Sequence, residues 1–166
     1  MLYAQAIQRY SPQDQIKLTN SVLRASIPRK SFITMLVAVL DGRDRSVTLS
    51  NAGHCYPVVY RSGEHRAETL EVRGMPLNFA DALMVQERKI PMEPGDILVL
   101  YSDGVNEAQN GIQELFGLDR LRTVIEAGGE QPPPTLLQNI LDEIRLFSKG
   151  VPQSDDITVL ILKASG

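Results

Sequence analysis

Two apolar runs, one ending at an aspartate and one starting from a pair of them, constrain this chain more than any other feature. Residues 97–107, ILVLYSDGVNE, and residues 154–162, SDDITVLIL, both carry the apolar and β-branched composition of a buried strand. Ile97–Tyr101 runs straight into Ser102-Asp103-Gly104, so Asp103 stands where the strand turns out of its sheet. Asp155 and Asp156 come just before the second run. If the two strands are antiparallel neighbours, the end of one lies beside the start of the other, and Asp103 and Asp155 converge on one sheet edge. Carboxylates about 4 Å apart repel by roughly 4 kcal/mol at an effective dielectric of about 20. A hard divalent cation such as Mg²⁺ or Mn²⁺ turns that repulsion into attraction. The same residues also read as a tight turn and a solvated turn, because Asp and Gly dominate turns.

At 166 residues the chain, residues 1–166, has the length of a single domain and can bury a core. Its net charge of −3, with no basic run, argues against nucleic acid or an anionic membrane as the main partner. The one cysteine, Cys55, excludes an internal disulfide and a cysteine-rich zinc site, which makes a reducing cytoplasm the expected compartment. The uncharged stretch at residues 32–40 falls well short of the roughly 20 residues a membrane-spanning helix needs. The first ten residues, MLYAQAIQRY, lack the charged and apolar regions of a signal peptide.

The first 30 residues read as helical, with a boundary at Ser11-Pro12, where Ser can cap, Pro suits the first position and Asp14 sits in the favoured first turn. Ile16, Leu18, Val22, Leu23 and Ala25 form the expected apolar stripe. Short strands follow. Residues 32–40 and 46–50 flank the hairpin signal Asp41-Gly42-Arg43-Asp44, and residues 57–61 and 67–72 flank Ser62-Gly63-Glu64. Residues 83–90 alternate before the Pro94-Gly95-Asp96 turn that launches Ile97–Tyr101. Leu118, Leu121, Val124 and Ile125 then recur at helical spacing and stop at Gly128-Gly129. Gln131-Pro132-Pro133-Pro134 reads as a stiff extended connector. Thr135 can cap a last helix whose stripe is Leu137, Ile140, Leu141, Ile144 and Phe147. Hairpin-linked strands with amphipathic helices at both ends predict an antiparallel α+β layer structure.

The motifs SNAGHCYP at residues 50–57, GMPL at 74–77, EPGDILVLYSDG at 93–104, YSDGVNE at 101–107 and DDITVLIL at 155–162 resemble those of the PPM (protein phosphatase 2C-like) serine/threonine phosphatases. More narrowly they are similar to the bacterial SpoIIE/RsbU branch, in the family's order, over about residues 31–163. No one of them is specific alone; the ordered set is. The resemblance implies an α/β/β/α sandwich of two antiparallel sheets flanked by helices, with a pair of Mn²⁺ or Mg²⁺ ions at one end. It implies hydrolysis of phosphoserine or phosphothreonine by a metal-activated water, without a covalent phospho-enzyme. It further implies a phosphoprotein substrate of the anti-sigma-factor-antagonist type, and hence a place in signal transduction that regulates a sigma factor. Carried over residue by residue, Asp103 and Asp155 match the metal ligands. Asp156 matches a position that supports a ligand, and Gly104 a position where a side chain would obstruct the turn. Glu107 either orients metal-bound waters or faces solvent. His54 reads as a general acid or as a histidine bonded to backbone, the latter favoured. Cys55 reads as a small residue at the start of a strand. Asn78 replaces the family's glycine after Pro-Leu, a change the turn should survive because Asn tolerates left-handed backbone.

One family feature is not found. The aspartate that bridges both metals, in a pattern like GDVSGHG, has no counterpart before Phe32, where the only acidic residue is Asp14. The expectation is therefore a phosphatase domain that lacks its first strands, binds one divalent ion or none, and is inactive alone. Uncovered strand edges would make a homodimer one way to cover them. The alternative is a non-catalytic regulatory or interaction module that keeps the phosphatase fold.

Overall fold

A computed structural model describes residues 10–166. Among these residues are four helices and seven strands, divided between two compact units, Met1–His54 with Glu71–Pro91 and Cys55–Leu70 with Met92–Gly166.

In the first unit, helix α1 spans Pro12–Ser26. The hydroxyl of Ser11 accepts from the Asp14 amide at 3.2 Å, and Pro12 opens the first turn, as its sequence predicts. Residues 1–9 of the expected helical segment lie outside the described residues. The buried face of α1 is Pro12, Ile16 and Asn20, a four-residue spacing, whereas Leu18 and Ala25 from the expected stripe are exposed. Asn20 takes an inward position because its amide is satisfied there: its Oδ1 accepts from the Asn78 amide at 2.7 Å and its Nδ2 donates to the Ala80 carbonyl at 3.0 Å. Strands β1 (Met35–Asp41), β2 (Ser46–Ala52) and β5 (Glu87–Pro91) form an antiparallel sheet in the order β1-β2-β5. Ile16 joins Ala52, Leu77, Leu83 and Val85 in one cluster. The strand expected at residues 83–90 is shorter, because Val85 pairs instead with Gly74 in an isolated bridge. Phe32, expected within the first strand, lies outside β1 and is 66% exposed.

The second unit holds β3 (Val58–Arg61), β4 (Arg66–Thr69), β6 (Ile97–Tyr101) and β7 (Val159–Lys163), antiparallel in the order β4-β3-β6-β7. Helices α2 (Asp103–Asn106), α3 (Gly117–Gly128) and α4 (Pro133–Phe147) complete it. Alternate residues of the central strands, Val58, Tyr60, Ile97, Val99 and Tyr101, share one core with Leu121 and Ile125 of α3 and with Leu136, Ile140 and Ile144 of α4. Each buried Val, Leu or Ile in this set contributes about 1.5–3 kcal/mol, so this face holds β6 in its register against the helices. Phe116 and Phe147 meet edge-on at 5.5 Å, with the Arg120 guanidinium 4.6 Å above the Phe147 ring. The stripe of α4 runs through Leu136, which the periodicity missed, with Leu137 and Leu141 half-buried beside it.

Two local readings are corrected. Pro133 and Pro134 are the first residues of α4 rather than a connector, since a helix's first turn needs no amide donors and proline's fixed φ suits it. Pro132 therefore takes the cap position, and Thr135 lies inside the first turn, its amide donating to the Pro132 carbonyl at 3.0 Å. Among the strands, Asp96 anchors the start of β6. Its buried carboxylate accepts from Arg61 Nη1 at 2.7 Å and from the Ser62 amide at 2.9 Å, so it is paired rather than stranded in the interior.

Candidate active site

The site is built where β6 ends and β7 begins. Tyr101 is paired with Val159 in the antiparallel register, so the chain leaving β6 runs beside the chain entering β7, the arrangement the two apolar runs predicted. Ser102 locks the two segments together. Its amide donates to the Thr158 carbonyl at 3.0 Å, its hydroxyl accepts from the Thr158 amide at 2.9 Å, and the same hydroxyl donates to the Asp156 carbonyl at 2.8 Å. Asp103 opens α2, and its carbonyl accepts from the Glu107 amide at 2.9 Å. Its carboxylate Oδ1 accepts from the Gly104 amide at 3.1 Å. Across the joint, Asp155 Oδ1 accepts from the Asp156 amide at 2.7 Å, and the Asp155 carbonyl accepts from Gln153 Nε2, also at 2.7 Å.

Gly104 is the contact point between the halves. A Cβ there would lie 2.5 Å from the Asp156 carbonyl oxygen and 3.2 Å from that of Asp155. Real Cβ atoms do not approach backbone oxygen that closely, so the aspartate loop rests against the bare glycine and any side chain would push it away. Gly104 is buried, while Asp103, Glu107, Asp155 and Asp156 are exposed, which leaves their oxygens open to a ligand from solvent. Beside them, Cys55 Sγ lies 3.6 Å from Asn106 Oδ1. Burial pushes the Cys55 thiol up, and the negative charges of Asp103 and Glu107 push it further. Burial, with a contribution from Cys55, likewise raises the Tyr101 phenol. The edge is thus negative and disfavours anions unless a cation is held there.

The donor chemistry fits part of a divalent metal site. Asp103 and Asp155 offer hard oxygens on two segments locked together by Ser102, which suits Mg²⁺ or Mn²⁺. Among the described residues no group of three or more His, Cys, Asp or Glu side chains forms a closed donor set. Asp14 and His54 belong to the first unit. There the Asn51 side chain clamps His54, its Oδ1 accepting from the His54 amide at 2.8 Å and its Nδ2 donating to the His54 carbonyl at 2.9 Å. The imidazole Nδ1 lies 3.3 Å from Thr34 Oγ1. The Asn51 bonds hold the main chain of His54, and its imidazole meets a side-chain hydroxyl rather than the backbone partner that its structural reading expected. The SNAGH and GMPL motifs also meet backbone to backbone, since a Cβ on Gly74 would collide with the Asn51 carbonyl. Asn78 adopts φ 68°, as its expected left-handed turn requires, and its Nδ2 donates to Pro28 and Ser31 carbonyls at 2.9 and 2.6 Å.

Sequence reasoning missed Ser102, Asn106 and Gln153. Ser and Asn ahead of or within a turn signal local backbone bonding, but the partners of Ser102 are 54 and 56 residues away, beyond any local signal.

A family model described as Stage II sporulation protein E (SpoIIE) matches residues 1–165. The phosphoserine phosphatase RsbU of Bacillus subtilis is 28% identical over 154 residues, which are 92% of this chain and 45% of that protein. The chain thus spans about half of that relative's length. Among solved structures, the SiaA-PP2C domain of Pseudomonas aeruginosa superposes with a TM-score of 0.85 at 18% identity, over 97% of this chain and 64% of that one. The Mn-presoaked phosphatase domain of SpoIIE from Bacillus subtilis gives a TM-score of 0.68 at 17% identity, over 95% of this chain and 68% of that one. These likenesses establish the fold: two antiparallel sheets with flanking helices, as in PP2C phosphatase domains.

Proposed function

The chain belongs to the Stage II sporulation protein E (SpoIIE) family, and from that premise we propose that the protein containing it hydrolyses phosphoserine or phosphothreonine on a regulatory phosphoprotein. The observation that carries this reading is the joint at Gly104, which holds Asp103 and Asp155 on adjacent segments at one sheet edge. Asp103 and Asp155 would hold a divalent cation, Mn²⁺ or Mg²⁺, together with donors that the described residues do not supply. Such an ion supplies an activated water and neutralises charge on the phosphoryl group. Asp156 positions Asp155 through the loop, its amide donating to the Asp155 carboxylate. Ser102 fixes the separation of the two segments, and Gly104 leaves the space that lets them touch. Glu107, at the end of α2, adds negative charge that favours cation binding on this edge.

The relative RsbU is named a phosphoserine phosphatase, which supports the reaction class. A phosphorylated anti-sigma-factor antagonist is the substrate we propose, in the cytoplasm; no described helix is long and apolar enough to cross a membrane. A protein of full family length, assayed with Mn²⁺ on a phosphoprotein, should turn over. Asp103→Asn and Asp155→Asn should each remove most of that activity, whereas Asp156→Asn keeps the backbone amide that bonds the Asp155 carboxylate and should retain most of it. Full activity in either of the first two variants contradicts the ligand assignment. The second reading, a non-catalytic interaction module with the same fold, is favoured by the absence of a three-donor cluster among the described residues. Lack of turnover by the full-length protein with retained partner binding would select it.

A further inference from the structure

Next to the two carboxylates, within the second unit, lies a cleft of about 310 Å³ between the end of α4, the loop after it and the start of α2. Its wall contains Gly104 and Ser154, the sequence neighbours of Asp103 and Asp155, so the cleft reaches the two segments that carry those carboxylates. Its floor includes Ala108 and Ile144, which are buried. Its charged lining is Arg145 and Lys149, with no acidic residue. In a chain of net charge −3, a cleft whose charged lining residues are both cationic is a local inversion of sign. Part of that charge answers the carbonyl end of α4, and Arg145 is shared with Asp142, whose Oδ1 lies 3.0 Å from Arg145 Nη1. The ammonium of exposed Lys149 has no carboxylate partner among the described residues, which leaves it free to meet an incoming anion.

We propose that this cleft binds an acidic segment of the phosphoprotein substrate, with Lys149 and Arg145 pairing with Asp or Glu side chains near the phosphorylated residue. The proposal rests on the phosphatase reading and adds substrate selection to it. Gly104 and Ser154 are part of the wall, so a peptide whose phosphoryl group lies at Asp103 and Asp155 needs only a few residues to reach the cleft. Exposed contacts of this kind change affinity modestly, so two of them should give roughly a three- to tenfold preference that fades at high salt.

The test is fluorescence anisotropy with the chain in millimolar Mn²⁺ and four labelled synthetic peptides of equal length. Two carry phosphoserine, one flanked by Asp and Glu and one by Asn and Gln; two are their unphosphorylated counterparts. The acidic phosphopeptide should bind roughly three- to tenfold more tightly than the neutral one. Lys149→Glu, at an exposed position, should erase that difference, and Lys149→Arg should keep it. If acidic peptides bind equally with and without phosphate and lose binding in Lys149→Glu, the cleft stands and the phosphatase reading is damaged. If binding depends on phosphate but not on flanking acids or on Lys149, the cleft assignment is overturned and the phosphatase reading is untouched. Binding by none of the peptides overturns the cleft as well.

Discussion

At Gly104 a single hydrogen atom in place of a side chain lets the Asp155-Asp156 loop rest against the start of α2. Gly104→Ala would set a methyl group 2.5 Å from the Asp156 carbonyl oxygen, and backbone cannot yield as a flexible side chain can. Overpacking of this kind costs about 1–3 kcal/mol, which in a chain of this size lowers Tm by roughly 2–4 °C per kcal/mol. Gly111→Ala is the matched control, because nothing lies within 4 Å of the added Cβ. Thermal unfolding should separate the two variants, and equal Tm values would remove Gly104 from its proposed role. Ser102→Ala tests the other half of the joint. It deletes the hydroxyl that serves both the Thr158 amide and the Asp156 carbonyl, and should cost about 1 kcal/mol per lost bond in chemical denaturation. Neither residue contributes a metal oxygen in this arrangement, so both should weaken Mn²⁺ binding only by loosening the loop.

Among the elements, the packing of β3 against the turn after α3 makes a prediction about pH. Tyr60 is 1% exposed, and its hydroxyl donates to Glu130 Oε1 at 2.9 Å. Burial first, then the hydrogen bond to Glu130 and the nearby carboxylates, push its phenol up to about 12 from an ordinary value of 10. The folded state therefore holds its proton longer than the unfolded one. Stability from this group is complete below pH 10, falls between pH 10 and about 12, and is level above that. Tyr60→Phe should flatten that segment of the profile, and an unchanged profile would contradict the assignment. Gly129 packs directly on the Tyr60 ring, where an added Cβ would lie 2.3 Å from the ring, so Gly129→Ala should displace the ring and destabilise the fold. That contact also marks what the sequence could and could not say. Gly128-Gly129 read as a helix stop, and α3 does end there, but Gly129 has φ −62° and serves packing rather than a left-handed cap. Hairpins and strand-borne aspartates were legible because turn chemistry and two-residue periodicity are local. The inward Asn20, the helix-opening Pro133 and the reach of Ser102 to Asp156 were not, because each is decided by a partner distant in sequence or by the next element's packing.

Taken whole, the molecule pairs a family assignment spanning residues 1–165 with a metal edge that is only partly furnished. Two monodentate carboxylates gain little from a cation that keeps most of its waters, so binding should sit in the weak range of few-ligand oxygen sites, on the order of 0.1–1 mM. A second ion has no anchor among the described residues, and the chain alone should not hydrolyse a phosphopeptide. Calorimetric titration of the 166-residue chain with Mn²⁺, beside Asp103→Asn and Asp155→Asn, measures this directly. The expected result is one site weaker than about 0.1 mM that disappears in both variants. Two tight sites, or a site that survives both substitutions, would contradict it.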